Sequence, residues 1–167
     1  MKTCEKINIY VTILPALSIV LVAFLTYKEI LSYFFSNIDT TYMLFHWKME
    51  SLDDMARIFT EPWANAFYRP LYAFSAGIDS TIWGLNPFGW YLTNLILHIS
   101  VSVSLFYLML SLSNGALFIA WLSAVIFTSH PILANDVQVI PYRQDLIPAL
   151  FMLISLLLFV KYVSRPV

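Results

Sequence analysis

Hydrophobic and polar positions are segregated along this chain rather than interleaved. Residues 80–135 contain no Asp, Glu, Lys or Arg, and residues 7–27 and 146–160 are likewise uncharged. A soluble domain sets charge against water and rarely runs so far without it. Each run supplies apolar helix long enough, or nearly so, to cross a hydrocarbon core. The pattern predicts an all-α polytopic membrane protein, with about four transmembrane helices forming a single transmembrane domain over residues 1–167.

The helices are expected over residues 7–32, 88–112, 116–130 and 146–163. Pro15 lies inside the first and is expected to kink it, because a proline donates no hydrogen bond to the preceding turn. Asn86-Pro87 breaks the chain before the second helix, and Ser113-Asn114-Gly115 makes a tight turn after it. The third helix is short for a full crossing, so either the bilayer is thin there or the helix continues past Pro131. The first run is longer than a signal-peptide core and is followed by no A-x-A-like cleavage site, so it reads as a retained helix.

Two polar windows separate the runs, at about residues 37–79 and 132–145. The first holds Asp39, Lys48, Glu50, Asp53, Asp54, Arg57, Glu61, Arg69 and Asp79; the second holds Asp136, Arg143 and Asp145. Within the first, Ser51 followed by Asp54 reads as a capping box that opens a short helix. Leu52, Met55, Ile58 and Phe59 then share one face, with Asp53, Arg57 and Thr60 opposite. Asp53 and Arg57 have the i,i+4 spacing of an ion pair. Such an amphipathic helix lies flat in a membrane interface, and Pro62 ends it. Pro70 is placed to start a further short helix through Ala73 and Ser75.

Composition narrows the classes. The chain is 60% hydrophobic and 11% charged, which excludes a nucleic-acid binder, since that needs a basic face. Aromatic residues make up 17%, as suits a chain with many water–lipid boundaries. Membrane lipid is therefore a partner. The single cysteine, Cys4, forms no internal disulfide and sits beside Lys2 and Lys6, as in a reducing cytoplasm. Lys2 and Lys6 precede the first helix, and Lys161 and Arg165 end the last. The positive-inside rule then puts both termini in the cytoplasm and both polar windows on the outer or lumenal side, in a bacterial inner membrane or the endoplasmic reticulum.

Few residues carry chemistry. Asp39 lies just beyond the first helix; it is either a solvated loop acid or a general base, whose partial desolvation would raise its pKa. Arg69 and Arg143 are the outer-side arginines best placed to grip an anion through paired N–H donors. The alternative pairs Arg69 with Glu61 or Asp79, and Arg143 with Asp145 or Asp136. Asn94 and His98 lie four apart on one helix face, where polar groups usually bond to neighbouring helices. His130-Pro131 ends the third helix, and the lone His46 lacks the spacing of a metal site. No glycine-rich phosphate loop, nucleophile elbow or zinc motif is present.

In order along the chain, Tyr68-Arg69-Pro70-Leu71, Gly84-Leu85-Asn86-Pro87-Phe88-Gly89 and Asn94-Leu95-Ile96-Leu97-His98 resemble the amino-terminal part of GT-C membrane glycosyltransferases. The likeness is to the protein O-mannosyltransferase-like group, including transmembrane O-mannosyltransferases that carry tetratricopeptide repeats. His130-Pro131, Val137, Ile140, Arg143, Asp145 and Leu146 follow the HP…E.V…R.DLL pattern of that group. The matches run from Asp39 to about Phe151.

The resemblance implies transfer of a sugar from a polyprenyl-phosphate carrier to an acceptor on the outer or lumenal side. It implies Asp39 as the catalytic base, and Arg69, His130 and Arg143 as substrate- and phosphate-binding residues. The lipid-linked sugar enters as substrate, with no cofactor. A fixed cation would stabilise the leaving phosphate. The chain departs from the pattern at Tyr91, where the group often has histidine, and at Asn135, where it has an acid beside the position of Asp136. The group also has many more crossings. The expectation is therefore a membrane glycosyltransferase or the amino-terminal piece of one; the alternative is a non-catalytic small membrane subunit of a larger membrane complex, derived from a GT-C ancestor.

Overall fold

The computed structural model of the chain describes residues 9–35, 48–49, 51–60, 62 and 67–164. They form an all-α bundle. Helix α1 spans Ile9–Tyr27 and runs into a 3₁₀ turn, Lys28–Ser32. The short helix α2 spans Leu52–Thr60 and α3 spans Pro70–Trp83. The long helix α4 spans Pro87–Leu112, and α5 spans Leu117–Ser129. A turn at Pro131–Leu133 leads into α6, Ala134–Gln138. After a second 3₁₀ turn, Ile140–Tyr142, α7 spans Arg143–Val163.

Three stretches are long and apolar enough to cross a membrane: Val11–Ser32, Pro87–Leu112 and Ile140–Val163. A bent pair, Leu117–Ser129 with Pro131–Gln138, turns by 51° at His130-Pro131 and makes a fourth crossing if its two helices count as one span. Helix α5 itself ends at Ser129, and helical structure resumes past Pro131 at an angle to it. The protein is an integral membrane protein, and the bent pair, third in chain order, is broken at a proline, the usual cause of a sharp bend.

Helix α4 is the axis. Trp90, Asn94, His98, Ser102, Phe106 and Leu110 follow one another at intervals of four and are all buried. That spacing draws a stripe down one face. The upper part of the stripe belongs to a core with Tyr27, Ile30, Tyr72, Ala73, Ala76, Val137 and Ile140. The lower part packs Phe106 and Leu110 against Ile19, Ala120 and Ala124. Small residues there let α1 and α5 approach closely. Trp121 Nε1 donates to Ser18 Oγ at 2.9 Å and clasps the same pair. Asn114 and Gly115 both take positive φ, 54° and 87°, so the predicted tight turn is realised by the two residue types that tolerate it.

The capping box is present. Ser51 Oγ accepts from the Asp54 amide at 3.2 Å, and Asp54 Oδ2 accepts from the Ser51 amide at 2.9 Å. Arg57 reaches Asp54 at 3.6 Å. On α2, Ile58 is buried while Met55 and Phe59 stay exposed. Phe59 meets Phe74 of α3 with ring centroids 6.2 Å apart, and the Tyr68 hydroxyl donates to the Phe59 carbonyl at 2.8 Å.

Two boundaries differ from the sequence reading. Helix α3 continues to Trp83, because Tyr72, Ala73, Ala76, Gly77, Asp79 and Ser80 form one buried helical face against α4. Helix α7 begins at Arg143 rather than Leu146, with Asp145 in its first turn, where an acid is favoured by the helix dipole.

Candidate functional site at the polar end of the bundle

The two polar windows, far apart in sequence, come together at one end of the bundle. Arg143 opens α7 and Asp79 lies in the last part of α3. Arg143 Nη1 donates to Asp79 Oδ2 at 2.5 Å, and Arg143 Nη2 donates to the Trp90 carbonyl at 3.1 Å. The guanidinium carbon sits 5.5 Å from the Trp90 ring centroid. Thr93 Oγ1 donates to the other carboxylate oxygen of Asp79 at 2.7 Å. Neither charged side chain reaches solvent, and Arg143 Nε has no hydrogen-bond partner. Burial raises the Asp79 carboxyl above the usual aspartate range, against the opposing pull of Arg143 and Thr93. A pair this enclosed ties α3, α4 and α7 together.

Arg69 is placed differently. It precedes α3, with Pro70 at the first helical position, where a missing N–H costs nothing. Its side chain is half-buried and donates from Nη1 to Gln144 Oε1. The guanidinium lies over the Phe67 ring, 4.6 Å from its centroid. Among the described residues no carboxylate pairs with it. Arg69 and Gln144 line a cavity of about 340 Å³ with Pro70, Leu71, Tyr72, Ile147 and Pro148. Its wall is largely hydrocarbon, with one cation and one amide.

His130 stands at the bend. Its Nδ1 accepts from the Ile132 amide at 3.2 Å, so the ring caps the turn that follows it. Among the described residues no hydrogen bond or ion pair joins it to either arginine. Ile132 would otherwise have bonded to the Thr128 carbonyl in a continuing helix. That carbonyl instead accepts from Tyr27 Oη at 3.1 Å and lies 3.1 Å from His98 Nε2. His98 is fully buried, stacks on Phe127 and meets Tyr27 edge-on. Four residues up the same face, Asn94 Nδ2 lies 3.4 to 3.5 Å from the carbonyls of Asp136, Val137, Val139 and Ile140. Those carbonyls belong to the end of α6 and the turn that follows it, where helix acceptors run out of partners. Asn94 and His98 thus hold the broken span to α4.

Of the residues singled out from sequence, Asp39 lies outside the described residues, as do His46 and Glu61. Arg69 and Arg143 are brought to one region, linked through the neighbours Arg143 and Gln144. Among the described residues their partners are Gln144 and Asp79 rather than Asp79 for Arg69 or Asp145 or Asp136 for Arg143; the Glu61 alternative for Arg69 falls outside the described residues. Asp79 was visible as the last acid before the uncharged run, whereas nothing local marked Gln144. Among the described residues no group of three or more His, Cys, Asp or Glu is placed to hold a metal ion.

No protein-family model matches the chain, and no solved structure matches it. Curated proteins do. Protein O-mannosyl-transferase TMTC2 of Homo sapiens is 33% identical over 112 residues, which is 67% of this chain and 13% of that protein. TMTC2 of Mus musculus matches to the same extent. Protein O-mannosyl-transferase TMTC1 of Mus musculus is 26% identical over 119 residues, 71% of this chain and 13% of that protein. The chain spans about 13% of the length of these relatives. Over two-thirds of its own length, then, this membrane protein has an O-mannosyl-transferase-like sequence.

Proposed function

We propose that this chain forms the amino-terminal part of a GT-C membrane glycosyltransferase site, which moves a sugar from a polyprenyl-phosphate carrier to an acceptor on the outer or lumenal side. The observation that carries the reading is the meeting of the two polar windows beside a hydrocarbon-walled cavity with Arg69 on its rim. A carrier lipid has the complementary shape, an apolar chain ending in an anion. In this reading Arg69 binds the phosphate and His130 and Arg143 belong to the phosphate side. Arg143, enclosed by Asp79, acts by fixing the start of α7. Asp39 is the base that takes the acceptor proton. Both termini are then cytoplasmic, and the polar end of the bundle faces outward.

The test is sugar transfer by membranes carrying the full-length protein, with polyprenyl-phosphate mannose as the first donor. Wild type is expected to transfer, and Asp39→Asn and Arg69→Ala to lose transfer at equal protein level. Wild-type activity in Asp39→Asn removes the base from the mechanism.

One observation favours the second reading, a non-catalytic subunit of a larger membrane complex: the Arg143 guanidinium is closed off by Asp79 and Trp90. That reading expects no transfer from any lipid-linked donor and stable co-purification with a larger assembly.

A further inference from the structure

The two arginines at the polar end are held by chemically opposite partners. Arg143 faces a carboxylate and is fully buried, so its charge is neutralised where it lies. Arg69 is half-buried, and its hydrogen-bonding partner among the described residues is the neutral side-chain carbonyl of Gln144. An amide fixes the direction of a guanidinium without cancelling its charge. Phe67 under the guanidinium adds a second, also uncharged, support. A fixed cation whose charge is not already paired is what an anion-binding site needs.

The surroundings select the kind of anion. The cavity below Arg69 is walled by Pro70, Leu71, Ile147 and Pro148. Leu71 and Pro148 are exposed on the outside of the bundle. A free anion gains nothing from such walls, whereas a phosphate carrying a hydrocarbon chain removes them from water and lipid mismatch together. Gln144 is also set firmly: it follows Arg143, whose buried pair anchors the first turn of α7. Pro148, four residues on, has no N–H to offer the Gln144 carbonyl, and it lines the same cavity.

From this we infer that Gln144 is a positioning residue, which aims Arg69 at a lipid-borne phosphate in the α3–α7 cavity and keeps the arginine's charge available by being neutral. The inference rests on the reading of Arg69 as a phosphate ligand, and it adds the residue that makes Arg69 selective. A carboxylate at position 144 would bind Arg69 as an ion pair and compete with the phosphate. A hydrophobic residue of the same length would release Arg69 to other rotamers.

The full-length protein in phosphatidylcholine nanodiscs tests this by native mass spectrometry or thermal shift, with three probes: a short polyprenyl phosphate, the matching phosphate-free polyprenol, and inorganic phosphate. Wild type is expected to bind the polyprenyl phosphate and to prefer it over the other two. Arg69→Ala removes the preference. Gln144→Glu weakens polyprenyl phosphate by about tenfold or more, the scale of one charge-assisted contact, and leaves polyprenol binding unchanged. Gln144→Met falls between wild type and Gln144→Glu. A purely structural role for Gln144 would lower both lipid probes together, and that result overturns the inference. If Arg69→Ala loses the preference while Gln144→Glu keeps it, Gln144 has no positioning role and the Arg69 reading survives. If Arg69→Ala binds like wild type, both fall. Inorganic phosphate binding as tightly as the lipid phosphate overturns the lipid part of the site.

Discussion

Asp79 Oδ2 and Arg143 Nη1 lie 2.5 Å apart with side chains 3% and 0% exposed, joining residues 64 positions apart in the sequence. The pair closes the polar end of the bundle. An ion pair without solvent is costly to half-remove, because the surviving charge stays buried and uncompensated. Removing both charges is far milder, since a shape-matched apolar pair needs no partner.

Asp79→Ala and Arg143→Ala are each expected to lower stability by about 3–5 kcal/mol. The double variant Asp79→Leu/Arg143→Met should recover most of that loss. Unfolding of the purified protein in detergent measures all three. Single and double variants of equal stability would mean that the pair contributes no buried charge balance.

Acid should reach this pair early. Burial raises the Asp79 carboxyl, so this group binds its proton more readily in the folded than in the unfolded state. The stabilising part of that linkage is complete below the unfolded pKa and is lost as pH rises through the folded one. On acidification Asp79 is therefore protonated at a higher pH than an ordinary exposed aspartate. Infrared difference spectra should show a protonated-carboxyl band growing in above the ordinary range in wild type and missing in Asp79→Asn. A band confined to the ordinary aspartate range contradicts this.

The Thr128 carbonyl has two suitors, Tyr27 and His98, because the bend at Pro131 deprives it of a helical one. Tyr27→Phe and His98→Phe are each expected to cost about 0.5–2 kcal/mol, since one partner survives in either case. Their combination leaves the carbonyl orphaned between helices, so the double variant should cost more than the sum. A double-mutant cycle in detergent checks the sign; strict additivity would show that the two bonds are independent.

Glycine is required unequally at two sites. A Cβ on Gly89 would fall 1.9 Å from Trp83 Cδ2, inside a rigid ring. A Cβ on Gly77 would meet only the flexible end of Met49, at 2.8 Å. Gly89→Ala is expected to destabilise by about 1–3 kcal/mol, the range for overpacking, and Gly77→Ala by clearly less. Adding Trp83→Leu to Gly89→Ala should restore stability, as read from thermal melts. A Gly89→Ala protein as stable as wild type would place the Trp83 ring elsewhere.

Whatever depends on neighbours along the chain is legible in the order of residues. Charge-free runs marked the spans, because burying a charge in hydrocarbon is expensive wherever the helix goes. Ser51 and Asp54 announced their cap, and Asn114-Gly115 its turn, because both are local geometries. The spacing of Asn94 and His98 placed both on one helical face, and that face is buried. Which residue meets which across the bundle is set by how the helices pack. Arg143 had Asp145 and Asp136 close in sequence, yet it bonds to Asp79, because Asp145 follows in the same helical turn and Asp136 lies on α6, while α3 delivers Asp79 across the bundle. Gln144 carried no signal at all until α7 brought it to Arg69. Periodicity reports which face of a helix is buried; which residue lies opposite depends on how far each helix slides and rotates against its neighbour, and that is settled by packing between segments far apart in the chain.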